Sequence, residues 1–519
     1  MSTETSRSDA ACSGSRHAFA AALVARVVLG GGGRAGHAGD VSEAQFRLVE
    51  ASAHLGPPRE PALHRAYGLA AGDLDGDGRV DLLLMNHGKR PSVLLNRGSD
   101  GFVDVQPASG LTMRNSYPGQ NDRHGASLGD YDNDGWLDLM VTHGGARGET
   151  LGKKFDQLLR NVGARFEIVS MQVGLLNRAG RGRTARFVDF DRDGRLDVHI
   201  GNFESDNVLY RATVDGMFED VTATAGLPPS NGWRQSWTDL DDDGWPDLMT
   251  SPPPRFWRNR GDSTFEPVEL PPRLAKLRGV MGTQWGDYDS DGDDDLFTAS
   301  LRPGRSRLWE NREGRLGPSV APFVPREAIH GAAWADLDAD GDLDLVVVTV
   351  DATQAYENLE GRLLEEPHPV VGPGTGDPGA GDPVPAANGA VAPLDFDGDG
   401  RLDLAVNLPR VALLMRNESS AGAWLTLRLI GRSSNRSALG SRVEVSSGDL
   451  TAFRFYDGSP GGTVSKGAAP LFIGLGDRGR ADVAVRWPSG IEQALRDLPV
   501  NRSLVLVEPE LGTASRAQP

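Results

Sequence analysis

Seven times the chain spells Asp-x-Asp-x-Asp-Gly-x-x-Asp, and no other feature narrows its fold as far. The copies place carboxylates at Asp73, Asp75, Asp77 and Asp81; at Asp130, Asp132, Asp134 and Asp138; and at Asp189, Asp191, Asp193 and Asp197. They recur at Asp239, Asp241, Asp243 and Asp247; at Asp287, Asp289, Asp291 and Asp295; at Asp336, Asp338, Asp340 and Asp344; and at Asp395, Asp397, Asp399 and Asp403. Alternate carboxylates on a tight loop converge on one point, and Gly at the sixth position permits the positive φ such a turn needs. Hard oxygen ligands in that number suit Ca²⁺ better than the stricter octahedron of Mg²⁺, so up to seven Ca²⁺ are expected. The seventh position offers its backbone carbonyl, which leaves its side chain free to vary between Arg79, Trp136 and Asp293. The spacing follows the EF-hand rule but lacks the twelfth-position Glu. A solvated Asp/Gly turn would explain one isolated copy; it does not explain seven in register.

Charge points the same way. The loops hold 28 of the 72 acidic residues, and seven Ca²⁺ would bring the formal −18 to about −4. Without metal, each loop crowds four like charges together. The acidic balance argues against nucleic acid as a partner, and no basic stripe is evident in the sequence.

Successive first-Asp positions differ by 57, 59, 50, 48, 49 and 59 residues, a period that indicates a propeller or solenoid. Each unit reads as a short apolar strand, the Asp loop, a strand such as Val80–Met85, and two further strand-like runs. Asn-x-Gly before an aromatic, as in Asn96-Arg97-Gly98 before Phe102, signals a tight turn between the last two. Four strands in each of seven units predict an all-β, seven-bladed propeller over residues 41–420. Phe46–Val49 reads as an orphan outer strand that completes the last blade and ties the two ends of the ring. The Pro- and Gly-rich run Pro367–Asn388 reads as an extended excursion between blades six and seven.

With these residues in view, the repeats resemble VCBS/FG-GAP blades, the calcium-loop units also found in integrin α chains. Asp220-Val221-Thr222 with Ala225-Gly226-Leu227 is similar to motifs of bacterial relatives of cartilage acidic protein. The segment Trp424–Glu508 resembles the ASPIC/UnbV domain that follows the propeller in that family. The matching blocks are Ser434–Val443, Phe472–Gly476 and Val485–Gly490. One departure is the stretch Asp457–Val464, where relatives usually carry a Gly-Tyr-containing sequence. The domain's own alternating patterns, as in Leu425–Ile430 and Asp482–Trp487, predict a small β-sandwich over 421–510, with a disordered tail at 511–519.

Residues 1–40 read as a leader. Arg7 and Arg16 precede the apolar Ala18–Ala25, which suits a signal peptide, while Arg26 interrupts it and a disordered leader competes. Calcium loops favour a secreted or extracytoplasmic protein; a cytoplasmic one is the alternative. No apolar stretch reaches membrane-spanning length. Cys12 is the single cysteine, so disulfides cannot staple the fold and metal is expected to take that role.

The Asp loops should gather on one face, and the far ends of the same strands on the other. His87, His124, His143, Glu204, Arg234 and His330 map toward that second face as candidate catalytic residues, with Arg183, Asn202 and Arg278 near the same rim. His199, inside an apolar strand, reads as structural. Two functions follow. One is a non-catalytic, monomeric calcium-binding protein that holds a protein, glycan or small-molecule ligand at the propeller mouth. The alternative is a natural-product biosynthesis enzyme of the UnbV type, using the central pocket for a bond-forming or cyclisation step. The chain carries no nucleophile elbow, zinc motif or phosphate loop.

Overall fold

In all seven repeats the ninth-position Asp is the first residue of a strand: Asp81–Asn86, Asp138–His143, Asp197–Asn202, Asp247–Ser251, Asp295–Ser300, Asp344–Val348 and Asp403–Leu408. The computed structural model describes residues 47–55, 66–86, 91–106, 108–111, 123–144, 156–178, 180–229, 232–319, 323–349, 352–371, 389–408, 411–420, 422–458 and 465–510. The leader, His87 and the tail fall outside them. Among the described residues regular structure is almost entirely strand, with helix confined to Pro272–Ala275 and short 3₁₀ turns. No described helix is long and apolar enough to cross a membrane.

The repeats build seven four-stranded antiparallel sheets. Six use consecutive strands in order. A representative one pairs Val280–Gly286, Asp295–Ser300, Arg307–Asn311 and Leu316–Pro318. The seventh takes its outer strand from far away: Leu48–Glu50 pairs with Val411–Asn417, Leu48 opposite Asn417. First strands of successive sheets lie side by side from Ala66–Gly72 through to Ala390–Leu394, and that last strand also contacts Ala66–Gly72.

The sequence period explains the packing. A strand buried on both faces reads as a continuous apolar run, and Asp81–Asn86 is buried throughout. Its alternate residues face opposite neighbours. Leu82 and Leu84 join Ala390, Leu394 and Phe396 of the last sheet, while Leu83 and Met85 join Leu128, Leu139 and Val141 of the next. A polar stitch crosses the same seams. The Asn closing most third strands donates from Nδ2 to the loop of the preceding repeat: Asn161 to the Leu74 carbonyl (2.9 Å), Asn311 to Leu240 (2.8 Å), Asn358 to Tyr288 (2.7 Å) and Asn417 to Leu337 (2.7 Å). Asn96 reaches Phe396 at 2.8 Å, so the same bond joins the first repeat to the last. The third repeat has Ala212 at this position and lacks the side chain to do so.

Residues 423–507 form two further sheets. One orders Leu471–Gly476, Ala423–Ile430 and Arg502–Val507; the other orders Leu450–Tyr456, Ser441–Ser447, Arg480–Arg486 and Glu492–Pro499. Leu425, Leu427, Val443, Val445, Val483 and Trp487 share one core. Trp487 is buried there and donates to Gln493 Oε1 at 3.2 Å.

The Pro/Gly-rich run differs from its reading as an excursion. His368–Val371, at its start, is the outer strand of the sixth sheet, paired with Thr353–Tyr356. Pro369 is tolerated there because an edge strand leaves one side unpaired; residues 372–388 lie outside the described set.

Candidate metal centres

Each Asp loop is built by hydrogen bonds that its own sequence dictates. The first-position carboxylate accepts the N–H of the sixth-position Gly in all seven copies, from Asp73 with Gly78 (3.1 Å) to Asp395 with Gly400 (2.9 Å). Those glycines sit at φ between 84° and 110°. The fourth position is left-handed as well, at Gly76, Asn133, Arg192, Asp242, Ser290, Ala339 and Gly398, a second turn requirement that sequence reading missed.

The ninth-position Asp is a clasp. One oxygen accepts the N–H of the second loop residue and the other accepts the N–H of a residue at or just past the end of the third strand. Asp81 thus holds Leu74 and Asn96, both at 2.7 Å, and Asp344 holds Leu337 (2.8 Å) and Asn358 (2.9 Å). The pattern recurs in every repeat. Sequence reading took these Asp as ligands alone.

Carboxylates within a loop converge. Asp73, Asp75 and Asp81 offer oxygens within 4.8 Å of one another, as do Asp130, Asp132 and Asp138, and Asp287, Asp289 and Asp291. Several inward oxygens are buried with no hydrogen-bond partner, including Oδ1 of Asp73, Asp75, Asp239, Asp241, Asp336 and Asp338. Buried oxygens are costly when unsatisfied. A divalent cation satisfies them together, so the donor set fits a hard metal ion. Burial first, then neighbouring Asp charges, push three of the loop carboxyls up: Asp130 to about 7, Asp340 to about 8 and Asp295 to about 9.

Comparisons with known proteins bear on this geometry. The FG-GAP-like repeat model matches residues 65–141, 189–250, 239–298 and 287–347, and the ASPIC and UnbV model matches 431–512. The chain is an FG-GAP repeat protein with an ASPIC/UnbV domain. Human cartilage acidic protein 1 is 25% identical over 485 residues, covering 82% of this chain and 69% of the relative. The mouse protein of that name is 24% identical over 507 residues, covering 86% of this chain and 74% of its own length. A solved structure of BBS1N in complex with ARL6DN covers 71% of this chain and 96% of its own, at 10% identity and a TM-score of 0.42, too distant to carry an argument.

The ASPIC/UnbV domain sits against the Asp loops. Arg428 pairs with Asp73 (2.9 Å), Ser437 Oγ accepts the Asp130 N–H (2.9 Å), and Asn435 donates to Asp189 (3.2 Å). Arg486 reaches Asp239 (3.3 Å), Arg442 donates to the Gly292 carbonyl, and the Gly474 N–H donates to Asp336 (2.8 Å). At the seventh loop the Trp424 ring occupies the space that a Cβ at Gly400 would need. The domain also sends Ser465–Pro470 against the first strands. The Lys466 carbonyl accepts from Leu128 N–H (3.1 Å), Lys466 N–H donates to Ala126 (2.9 Å), and Ala468 N–H donates to Ala71 (2.8 Å). A Cβ at Gly68 would collide with Ser465, so this approach requires glycine. Within Asp457–Val464, the departure from the family pattern, residues 459–464 lie outside the described set.

Beside that segment lies a cavity of about 140 Å³ lined by Arg186, Arg234, Asp294, Arg454, Asp457 and Lys466 among others. Lys466 pairs with Asp457 at 2.7 Å.

The catalytic candidates are distributed as follows. Arg234 lines the cavity, with its guanidinium 4.0 Å from the centre of the Trp233 ring. His143 is buried, 3.4 Å from Arg123 Nε, and its N–H donates to Asp156 (2.6 Å). His124 is buried within its strand, and the His330 N–H donates to the Val348 carbonyl. Glu204 is partly exposed and pairs with Arg181 at 2.6 Å. His87 lies outside the described residues. His199 makes a buried contact with Gln235 Oε1, and burial drives its pKa down to about 4, as a neutral structural histidine requires. Asp156, which sequence reading did not single out, is fully enclosed, pushed up to about 7 by burial, and accepts from Asn177 (2.5 Å).

One reading needs correction. The sequence shows no basic stripe, yet a groove of about 700 Å³ is lined by Arg273, Lys276, Arg278, Arg302, Arg305 and Arg307. The overall charge concealed it because two short runs, Arg273–Arg278 and Arg302–Arg307, meet only in the fold.

Proposed function

We propose that the protein is a calcium-loaded, non-catalytic binding protein built as a closed seven-bladed propeller. The contacts between first strands, the Asn96–Phe396 bond and the pairing of Leu48–Glu50 with Val411–Asn417 support closure. The two-sheet ASPIC/UnbV domain is a β-sandwich that caps the loop face. The 28 loop carboxylates hold up to seven Ca²⁺, and the single observation that carries this is the set of buried, unpartnered carboxylate oxygens found in five of the seven loops. Bound Ca²⁺ supplies positive charge and fixes the loops; the chain's own ninth-position Asp and third-strand Asn transmit that order to the sheets.

The opposite face, free of the cap, presents varied side chains and is where a protein, glycan or small-molecule ligand would dock. Calcium loading and the likeness to cartilage acidic protein 1 support a secreted protein. The test is limited proteolysis with and without a chelator. Calcium-loaded protein should resist cleavage between the last blade and the cap, and chelation should open that junction; equal cleavage in both states refutes a calcium-built platform.

The central cavity favours a second reading, an enzyme of the UnbV type, because Arg234 and a paired Lys466–Asp457 line one cavity. Under that reading Arg234→Ala abolishes turnover in a substrate screen while calcium content is unchanged. Unaltered turnover removes Arg234 from the reaction.

A further inference from the structure

The groove gathers six cations side by side. Many other described arginines answer acids, as Arg97 does with Asp75 and Asp77 and as Arg416 does with Asp397. In the groove, Arg273, Lys276, Arg278, Arg302, Arg305 and Arg307 form no ion pair among the described residues, and no acidic residue lines it. The hydrogen bonds of Arg278 and Arg307 go to backbone carbonyls of their own segments. Arg307 is held below the ordinary arginine range, first by burial and then by the charges of Arg305 and Arg273. Like charges gathered without counter-charges repel, and a chain with 72 acidic residues has ample acid to relieve them. None is supplied.

Position adds to chemistry. The groove lies between the run before Val280–Gly286 and the loop after Asp295–Ser300. It therefore occupies the end of the strand Asp295–Ser300 away from its Asp loop, remote from the ASPIC/UnbV cap. All of its cations except half-buried Arg307 are exposed. Its volume falls in the range of sites that enclose small organic ligands, and Trp309 and Phe323 give it an apolar wall. Five of the six cations are Arg, whose planar fork matches phosphate oxygens in pairs.

We propose that this groove binds an organic ligand bearing two or more phosphate groups. The charge count requires more than one dianionic group, and the apolar wall requires a carbon body between them. The site is separate from the calcium loops and does not depend on them for its chemistry.

The experiment is titration calorimetry of calcium-loaded protein at low ionic strength with fructose 1,6-bisphosphate as probe, with fructose 6-phosphate and fructose alongside. The bisphosphate should bind saturably, about tenfold or more tighter than the monophosphate, and lose affinity as salt rises. The double variant Arg302→Glu/Arg305→Glu changes two exposed side chains and should raise the Kd at least about tenfold. Its calcium content and Tm should stay at wild-type values, which separates failure here from failure of the calcium reading. Arg165→Glu, an exposed charge outside the groove, should bind as wild type does. Bisphosphate binding no tighter than monophosphate, or equal in the double variant, overturns the proposal. A single-stranded oligonucleotide that binds more tightly than any small phosphate overturns the ligand class.

Discussion

The two ends of the strand Asp295–Ser300 carry opposite chemistry. At its start, Asp287, Asp289, Asp291 and Asp295 gather acid under a cap of arginines from the ASPIC/UnbV domain. Past its end, Arg302, Arg305 and Arg307 gather base with no acid opposite. The acidic end is the same in seven repeats because it serves the scaffold: each loop closes its own turn and clasps its own third strand. Among the described residues, the basic groove lies at one repeat. Repetition in this chain marks what holds the molecule together, and departure from repetition marks where one sheet differs from its neighbours.

The largest test of the contrast is metal removal. Chelation should lower Tm by tens of degrees, since a ligand that binds only the folded state stabilises it by mass action at every site. The Arg302→Glu/Arg305→Glu variant should not reproduce any part of that shift. A chelated protein that melts as the loaded one does would make the acidic end no more structural than the basic end.

Next in size is a pH effect with a definite sign. In metal-free protein, burial raises Asp81 to about 7 and Asp138 and Asp403 to about 8. A carboxyl raised in the folded state holds its proton longer there than in the unfolded chain. Its contribution is therefore intact near pH 4 and is lost as pH climbs toward about 8. Thermal melts of stripped protein should show falling stability over that window. Saturating calcium should reverse the slope, because metal binding favours ionised ligands.

Smaller still is the stitch between repeats. Asn417→Ala removes donors to Leu337 and Leu402 and leaves two buried carbonyls unpaired, a cost of about 1–3 kcal/mol by denaturant unfolding. Asp132→Ala should remove calcium from the second loop alone, read as one ion fewer per chain. Smallest is Arg486→Ala at the cap. Arg486 is partly exposed, so losing its pairs with Asp239 and Asp242 should cost about 1 kcal/mol or less.

The loops and the four-strand repeat were legible because their information is local: position one meets position six, and strand two begins at position nine. The clasp by the ninth Asp was not legible, since one of its donors, such as Asn96 for Asp81, comes from a strand 15 residues on. Asn96 reads in the sequence as a turn residue; its amide and those of Asn161 and Asn417 cross to a neighbouring repeat, a relation no single repeat contains. The outer strand His368–Val371 was hidden because Pro and Gly dominate its surroundings, whereas an edge strand needs donors on one side only. The docking of Ser465–Pro470 against first strands hundreds of residues earlier was beyond any pattern in the sequence.

The account rests on calcium in the acidic loops, and counting it is the most direct test. Equilibrium dialysis of chelator-stripped, refilled protein, with metal measured by elemental analysis, should give close to seven Ca²⁺ per chain. A calcium-replete protein that retains none would contradict it.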